Sequence, residues 1–347
     1  MFETFGFIDT TPKEASLWFG LGLGLLFGIL ALITGFCLRR GIVGASADRP
    51  QALGIWAMAL AVATLGTQGL IALDLIDFSA HRFFAESTPI LAVILGGLAF
   101  GVGMVLTRGC IGRLSVLSGT GNLRALLVVV VFAIIAHATL KGVLAPVRTA
   151  ISSITVELSL PFATGIAAII TIAALGIAIK SRAGVKMLTL AAVIGALIPL
   201  GYFGTGYVLF DEFDVIAVET MSFTSTVTET LFFGIASTSI TAGFGVAFVT
   251  GTLLGSFAWA IFTGRFQWQS FETPAQTGQY MLGAALMGVG AVLAGGCTIG
   301  AGLAGVPLMA PAAMIALVSI IVGAKAADRF NASSSLSAAP SATPVKA

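Results

Sequence analysis

The chain has 347 residues, of which 57% are hydrophobic and only 9% are charged, and its formal net charge is +2. A water-soluble domain carries roughly 25% charged residues, so this chain has too few charges to cover a soluble surface. Its mean hydropathy of +1.05 points the same way. The composition therefore predicts an all-α polytopic membrane protein, embedded in a lipid bilayer, and indicates no nucleic-acid partner.

Apolar runs long enough to cross a bilayer, which takes about 20 residues, recur along the whole chain. They are continuously apolar, whereas the strands of a membrane β-barrel alternate. A further short helix is expected within 213–233. We predict about nine spanning helices, near 16–38, 52–73, 88–108, 122–142, 161–180, 187–209, 235–263, 278–295 and 308–326.

Basic residues in short connections indicate the orientation, because Lys and Arg are enriched on the cytoplasmic side. Arg39, Arg40 and Arg49 follow the first span. They predict a cytoplasmic first connection and a periplasmic N-terminus. Arg265 and the basic residues of 325–329 favour the cytoplasm as well, but the sequence leaves open whether an inverted repeat can place both there.

Two glycine-rich segments repeat. Residues 101–110 read GVGMVLTRGC and residues 288–297 read GVGAVLAGGC, and a shift of 187 positions superposes them with their cysteines, Cys110 and Cys297. Paired broken segments of this kind mark the central site of many transporters. We predict two pseudo-symmetric halves, related as inverted repeats, and divide the chain into 1–15, 16–150, 151–329 and a disordered tail, 330–347.

The glycines around each cysteine disfavour a continuous helix. Irregular backbone within a membrane survives only where it is buried or lines a cavity. We therefore expect broken, re-entrant helices that meet at the midplane, with Cys110 and Cys297 facing each other across a narrow waist. New helices are expected after Asn122, a good N-cap residue, and at Pro307 or Pro311. Helix N-termini offer N–H groups to an anion.

The three cysteines, Cys37, Cys110 and Cys297, are odd in number and far apart, which argues against a disulfide framework. With only two histidines, no metal site or other cofactor is predicted. A thiol is a weak donor and a weak acceptor. In apolar surroundings it stays neutral and does not repel an anion. The cysteines thus suit brief contact with a soft sulfur atom, although Cys37 alone also fits simple packing.

Three segments around these cysteines resemble the YeeE/YedE family of sulfur-compound transporters: GFCLRR (35–40), TRGCIGRLSVLSGTGNLRAL (107–126) and AGGCTIGAGLAG (294–305). The resemblance covers roughly residues 17–326. It implies an hourglass-shaped bundle that takes up thiosulfate, or a similar small sulfur species, across the bacterial inner membrane. It also implies cooperation with a small cytosolic sulfur-carrier protein of the TusA type. The family's cysteines fall on the three cysteines of this chain, where they pass substrate by transient hydrogen bonds.

We expect a transporter and not an enzyme, so the candidate residues line a pathway and none is catalytic. Arg108 and Arg113 flank Cys110 and either attract an anion or extend to a membrane interface. Thr298 and Asn122 favour capping roles, with substrate contact as the alternative. The predicted pathway residues are Cys37, Cys110, Cys297, Gly109, Gly296, Thr298, Gly300, Arg108, Arg113 and Asn122.

The substrate remains open at this stage, because the chain departs from the pattern of many family members at Thr120, Arg113 and Ala301. A selenium species or another small inorganic anion is therefore an alternative to thiosulfate. A second alternative, from a different class, is a membrane thiol redox protein. That function predicts a resolving cysteine near Cys110 and a bound cofactor.

Overall fold

The computed structural model describes residues 11–76, 78, 83, 87–158, 162–211, 214–239 and 241–337, with the side chains of 331–337 left out. Helices account for most of this part of the chain. They are α1 (Pro12–Thr34), α2 (Leu38–Val43), α3 (Arg49–Ala72), α4 (Ile90–Leu106), α5 (Ile111–Ser118), α6 (Leu123–Lys141), α7 (Ala145–Ser152), α8 (Ala163–Lys180), α9 (Val185–Phe203), α10 (Thr224–Ile235), α11 (Phe244–Phe262), α12 (Pro274–Leu293) and α13 (Pro311–Ser337). Two π-helical segments, Gly204–Val208 and Thr298–Gly305, follow α9 and α12.

Nine helical stretches in the described part of the chain are long and apolar enough to span a membrane, which confirms the prediction. The additional short helix is α10. Three predicted boundaries were wrong. The first helix ends at Thr34, since Gly35 adopts a left-handed conformation with φ of 62°, and α11 begins at Phe244 instead of near 235. The last helix continues to Ser337, into the stretch expected to be disordered, and 338–347 lie outside the described residues.

Glycines let α1 and α11 approach each other closely along parallel axes. A Cβ atom on Gly24 would collide with the Phe248 carbonyl, and one on Gly28 would collide with the Thr252 carbonyl. Glycines of α11 contact the α1 backbone in the same way. This is the small-residue packing typical of membrane helices, as the four-residue glycine spacing indicates.

The repeat seen in the sequence is also present in the packing of α4 against α12. A Cβ on Gly96 would lie 2.7 Å from the Gly290 carbonyl oxygen, and one on Gly283 would lie 3.0 Å from that of Gly103. The 187-residue shift carries Gly96 to Gly283 and Gly103 to Gly290, so it exchanges these two contacts. When residue i of one half meets j′ of the other half, and j meets i′, the two halves are related by a two-fold axis. The two helices therefore cross antiparallel, as inverted repeats require.

The rest of the repeat follows the same shift. It carries α2, α3, α4 and α6 onto α10, α11, α12 and α13, and it places α5 on the Thr298–Gly305 segment residue for residue. The contacts correspond as well. In the first half α4 packs against α13, and in the second half its counterpart α12 packs against α6, the counterpart of α13. The division of the chain at 150/151 stays a prediction.

Candidate substrate constriction

Both broken helices end in the same way. After α4, Arg108 has a left-handed φ of 59°, and after α12 the equivalent Gly295 has a φ of 70°. A left-handed residue is a common way to end a helix. Glycine adopts that conformation without strain, whereas arginine does not. In each break the backbone then passes through one more glycine, Gly109 or Gly296, before it reaches the cysteine.

All three cysteines stand immediately before a new helical segment. Cys37 precedes α2, Cys110 precedes α5 and Cys297 precedes Thr298–Gly305, each with extended backbone. The predicted helix starts at Leu123 and Pro311 are confirmed. The short segments before them were not predicted, because eight glycine-rich residues are too few to show a helical period. The structure thus adds a third break, at Cys37, to the two that were expected.

Cys37 and Cys110 meet inside the protein. Their side chains interact with each other, and the Thr298 side chain interacts with that of Cys110. These three residues line one cavity together with Arg113 and Trp56, and aromatic and aliphatic side chains form its other walls. The cavity volume that the centre of a water molecule can occupy is about 10 Å³, which is enough for about one water molecule. The constriction is therefore closed to an anion of several heavy atoms.

Positive charge surrounds the two thiols. Arg113 lies one helical turn beyond Cys110, so both side chains lie on one face of α5. Its Nη1 atom donates a 3.2 Å hydrogen bond to the Ala31 carbonyl near the end of α1. The Arg39 side chain lies close enough to interact electrostatically with Cys37, and the Arg40 backbone N–H interacts with the same thiol. Within the described part of the chain no acidic side chain lines the cavity, so the arrangement favours an anion.

Trp56 is a cavity residue that sequence reasoning missed. It is 6% exposed, and its Nε1 atom is buried with no hydrogen-bond partner among the described residues. A buried indole N–H usually has a partner, so this donor is available to a substrate. The sequence did offer one signal for Trp56. Tryptophans of membrane proteins concentrate at the interfaces, so a tryptophan inside a predicted span is unusual.

Cys297 has different surroundings. It is fully buried, and its Sγ atom accepts a 3.4 Å hydrogen bond from the Gly300 N–H. A Cβ on Gly296 would lie 2.8 Å from the Ala301 nitrogen, so the turn is tightly packed. Cys297 is not among the residues that line the cavity. The thiol that interacts with Cys110 in this cavity belongs to Cys37, and the facing of Cys110 and Cys297 stays a prediction. The two-fold relation makes those two cysteines equivalent, but only Cys110 is among the residues that line the cavity.

The remaining predicted residues lie outside the cavity. Gly109 is buried in the break, where its carbonyl accepts a 3.0 Å hydrogen bond from the Thr107 hydroxyl. Arg108 is exposed. Asn122 caps α6 by accepting a hydrogen bond from the Ala125 N–H, and its side chain donates to Gln269 at 2.8 Å. The structure therefore brings Cys37, Cys110, Arg113 and Thr298 together and places Arg108 and Asn122 elsewhere.

Comparison with known proteins identifies the family of this chain. The family model described as "Sulphur transport" matches the chain twice, at residues 33–183 and 178–326. The chain belongs to this sulphur-transport family. The thiosulfate transporter TsuA of Spirochaeta thermophila is 29% identical over 334 residues, which cover 88% of this chain and 96% of that protein. The TsuA of Escherichia coli K12 is 26% identical over 339 residues, covering 88% and 91%. These relatives indicate a membrane transporter for a sulfur anion.

Proposed function

We propose that this protein takes up thiosulfate, or a closely related small sulfur anion, through the constriction formed by Cys37, Cys110, Arg113, Thr298 and Trp56. The observation that carries the proposal is one small cavity that two thiols and an arginine line, with no acidic side chain of the described residues beside them. Two relatives named thiosulfate transporters support the choice of substrate. The site holds no catalytic residue in this account, since the anion crosses unchanged.

Thiosulfate has two chemically different ends, and the cavity offers groups suited to each. Arg113, Trp56 and Thr298 are hard donors that suit the sulfonate oxygens. The thiols of Cys37 and Cys110 suit the terminal sulfur, which they contact weakly. A conducting pathway needs sites that bind well enough to admit an ion and weakly enough to release it. Thiol contacts meet the second requirement.

Transport requires the cavity to widen, because its 10 Å³ admits only about one water. The break before α5 suits such a movement. Cys110 is the N-cap residue of α5 and Arg113 lies in its first turn, so a displacement of α5 moves a thiol and the neighbouring cation together. The closed constriction keeps water and protons from leaking through between transport events.

The distribution of basic residues supports a bacterial inner-membrane orientation with a periplasmic N-terminus. Arg49 pairs with Asp328 at 3.7 Å, so the end of α13 lies on the same side as the connection between α2 and α3. Because α11 runs parallel to α1, Arg265 lies on that side as well. One side of the bundle thus collects Arg40, Arg49, Arg265 and the basic residues of 325–329, which the positive-inside rule assigns to the cytoplasm.

The experiment that tests the function is uptake of labelled thiosulfate by proteoliposomes, in competition with sulfate, sulfite and selenite. We expect saturable uptake that sulfate competes with poorly, because sulfate lacks the soft terminal sulfur. Uptake of selenite in preference to thiosulfate would establish the selenium alternative. Absence of thiosulfate uptake would refute the proposal.

One observation also favours the redox alternative. Cys37 is the nearby second cysteine that a thiol redox protein requires, although both thiols are free in the structure. Oxidation of wild-type protein, followed by mass spectrometry and an uptake assay, separates the two functions. A transporter is inhibited by a Cys37–Cys110 disulfide and recovers on reduction, whereas a redox protein needs that disulfide in its cycle. The sulfur-carrier partner of the TusA type remains an expectation from the family resemblance.

A further inference from the structure

The start of α10 repeats the start of α2. The 187-residue shift that relates Cys110 to Cys297 also carries Gly35-Phe36-Cys37 onto Ser222-Phe223-Thr224. The phenylalanine is retained, and a threonine stands in the place of the cysteine. Both tripeptides immediately precede or begin a short helix.

The surroundings of the two short helices correspond as well. α2 packs against α3, α4 and α13, and α10 packs against α11, α12 and α6. The same shift carries α3 onto α11, α4 onto α12 and α6 onto α13, so the partners of the two short helices correspond one to one. α10 therefore occupies, in the second half, the place that α2 occupies in the first.

Contacts between side chains follow the same relation. Phe36 and Ile299 both line the central cavity. Their counterparts are Phe223 and Gly112, and a Cβ on Gly112 would lie 3.1 Å from the Phe223 ring. The Phe27 ring contacts the rings of both Phe36 and Phe223, with centroids 6.4 and 5.6 Å away. Under the same shift Thr224 is the counterpart of Cys37 and Cys297 is the counterpart of Cys110, so the repeat predicts that Thr224 lies toward Cys297.

Two hydroxyl groups at this position are buried without a partner. Ser222 is 6% exposed and Thr224 is 5% exposed. Neither side-chain oxygen has a hydrogen-bond partner among the described residues. The hydroxyls of Thr226 and Thr228 on the same helix do have partners, since they donate to the carbonyls of Ser222 and Thr224 at 2.5 and 3.0 Å. An unpaired buried hydroxyl destabilises a protein, so a ligand for these two groups would explain their presence.

We propose that Ser222 and Thr224, with Cys297, form a second binding station for the transported anion, related to the Cys37–Cys110 station by the internal repeat. This inference rests on the proposed function and adds a site to it. The hydroxyls donate to oxygens of a small oxyanion, and Cys297 provides the sulfur. The first station lies toward the side that collects the arginines, so the second lies toward the opposite side, where an incoming anion arrives.

The second station carries less charge than the first. Val227 and Thr226 occupy the positions of Arg40 and Arg39, and Gly300 occupies that of Arg113. An uncharged station binds an anion more weakly. The pair of stations thus rises in affinity from the outer to the inner side, and transfer between them is favourable.

The test is uptake of labelled thiosulfate by Thr224→Val in proteoliposomes, because this change removes the hydroxyl and keeps the shape of the side chain. We expect uptake to fall about tenfold, the effect of losing a hydrogen bond to a charged ligand. Melting in detergent should be unchanged or higher, since an unpaired hydroxyl is removed. Thr228→Val, one turn along α10, is the matched control and should retain uptake. Thr224→Ser keeps a hydroxyl at this position and should therefore transport thiosulfate like wild type.

Ser222→Ala provides a second variant with the same expected loss, in case Thr224→Val folds poorly. If both variants transport like wild type while Cys110→Ala does not, the second station is refuted and the proposed function stands. If wild-type protein takes up no thiosulfate, the proposed function fails and the station fails with it.

Discussion

The breaks at Cys110 and Cys297 share a sequence motif and a backbone path but differ in what their thiols contact. Cys110 interacts with Cys37 and Thr298 and lines a cavity. Cys297 is fully buried and accepts a hydrogen bond from its own turn. The difference follows from the residues three positions further on, which are Arg113 and Gly300. The backbone N–H of each of these residues interacts with the cysteine sulfur three positions earlier. The arginine also brings charge to the cavity, whereas the glycine brings none.

This comparison teaches that an internal repeat fixes where a thiol lies without fixing what the thiol does. The helices and glycine contacts around the two breaks are exchanged by the two-fold axis. The polar and charged groups are not. A transporter with two identical stations would bind its anion equally on both sides, so the asymmetry gives the pathway a direction of increasing affinity.

The largest effect is expected from Cys110→Ala. This variant removes the thiol that interacts with both Cys37 and Thr298 in the cavity. We predict that thiosulfate uptake falls about 100-fold, because the variant loses the thiol contact to the substrate and the interaction that positions Cys37, each worth about 1.4 kcal/mol. Ser115→Ala is the matched control on α5, since the Ser115 hydroxyl only donates to the Ile111 carbonyl. Equal uptake by the two variants would show that the Cys110 break is no more than structural.

Arg113→Gln should have the next largest effect. It removes the cation of the first break and makes that break resemble the uncharged second one. We expect uptake at low thiosulfate concentration to fall about tenfold to 100-fold, because a charge-assisted hydrogen bond is lost. Arg113→Lys, which keeps the charge without the planar fork, should fall between Gln and wild type. Initial rates over a range of thiosulfate concentrations measure this order, and a Lys variant no better than Gln would argue against a role for charge.

Trp56→Phe tests the neutral donor and should cause a smaller loss, of about fivefold, as expected for one hydrogen bond. The ring is retained, so the cavity keeps its shape. Thermal melting serves as the control, and we expect it to stay at or above the wild-type value because Nε1 has no partner among the described residues. Unchanged uptake would remove Trp56 from the pathway.

Arg108→Gly is expected to have the smallest effect on uptake, because it makes the first break identical in type to the second, where Gly295 has the left-handed conformation. Thermal stability should rise by about 1 kcal/mol, the strain of a left-handed side chain. Uptake should stay near wild type, since Arg108 is exposed and outside the cavity. A large loss of uptake would show that Arg108 contributes to the pathway, as the sequence analysis predicted.

The sequence predicted the fold well because spanning helices depend on long apolar runs, and these are visible residue by residue. It also predicted the repeat, since Gly96, Gly103, Gly283 and Gly290 recur at one spacing. Short helices such as α2 and α5 escaped prediction, because six to eight residues inside an apolar segment carry no clear period.

The site was predicted only in part. Cys110, Arg113 and Thr298 follow from the glycine-rich breaks and meet in the cavity. The position of Cys37 depends on the end of α1 at Gly35, which the apolar run from 16 to 38 conceals. Trp56 comes from α3, far along the chain from any motif, and only tertiary packing brings it to the thiols. Arg108 and Asn122 are close to Cys110 in sequence but end or cap helices instead.

The central claim is that the anion passes between Cys37 and Cys110 beside Arg113. The most direct test is an experimental structure of the protein with thiosulfate, with anomalous scattering from sulfur to locate the substrate. We expect the terminal sulfur next to the two thiols and the sulfonate oxygens toward Arg113 and Trp56. Thiosulfate bound elsewhere, with this cavity still closed and empty under conditions of measured uptake, would contradict the account.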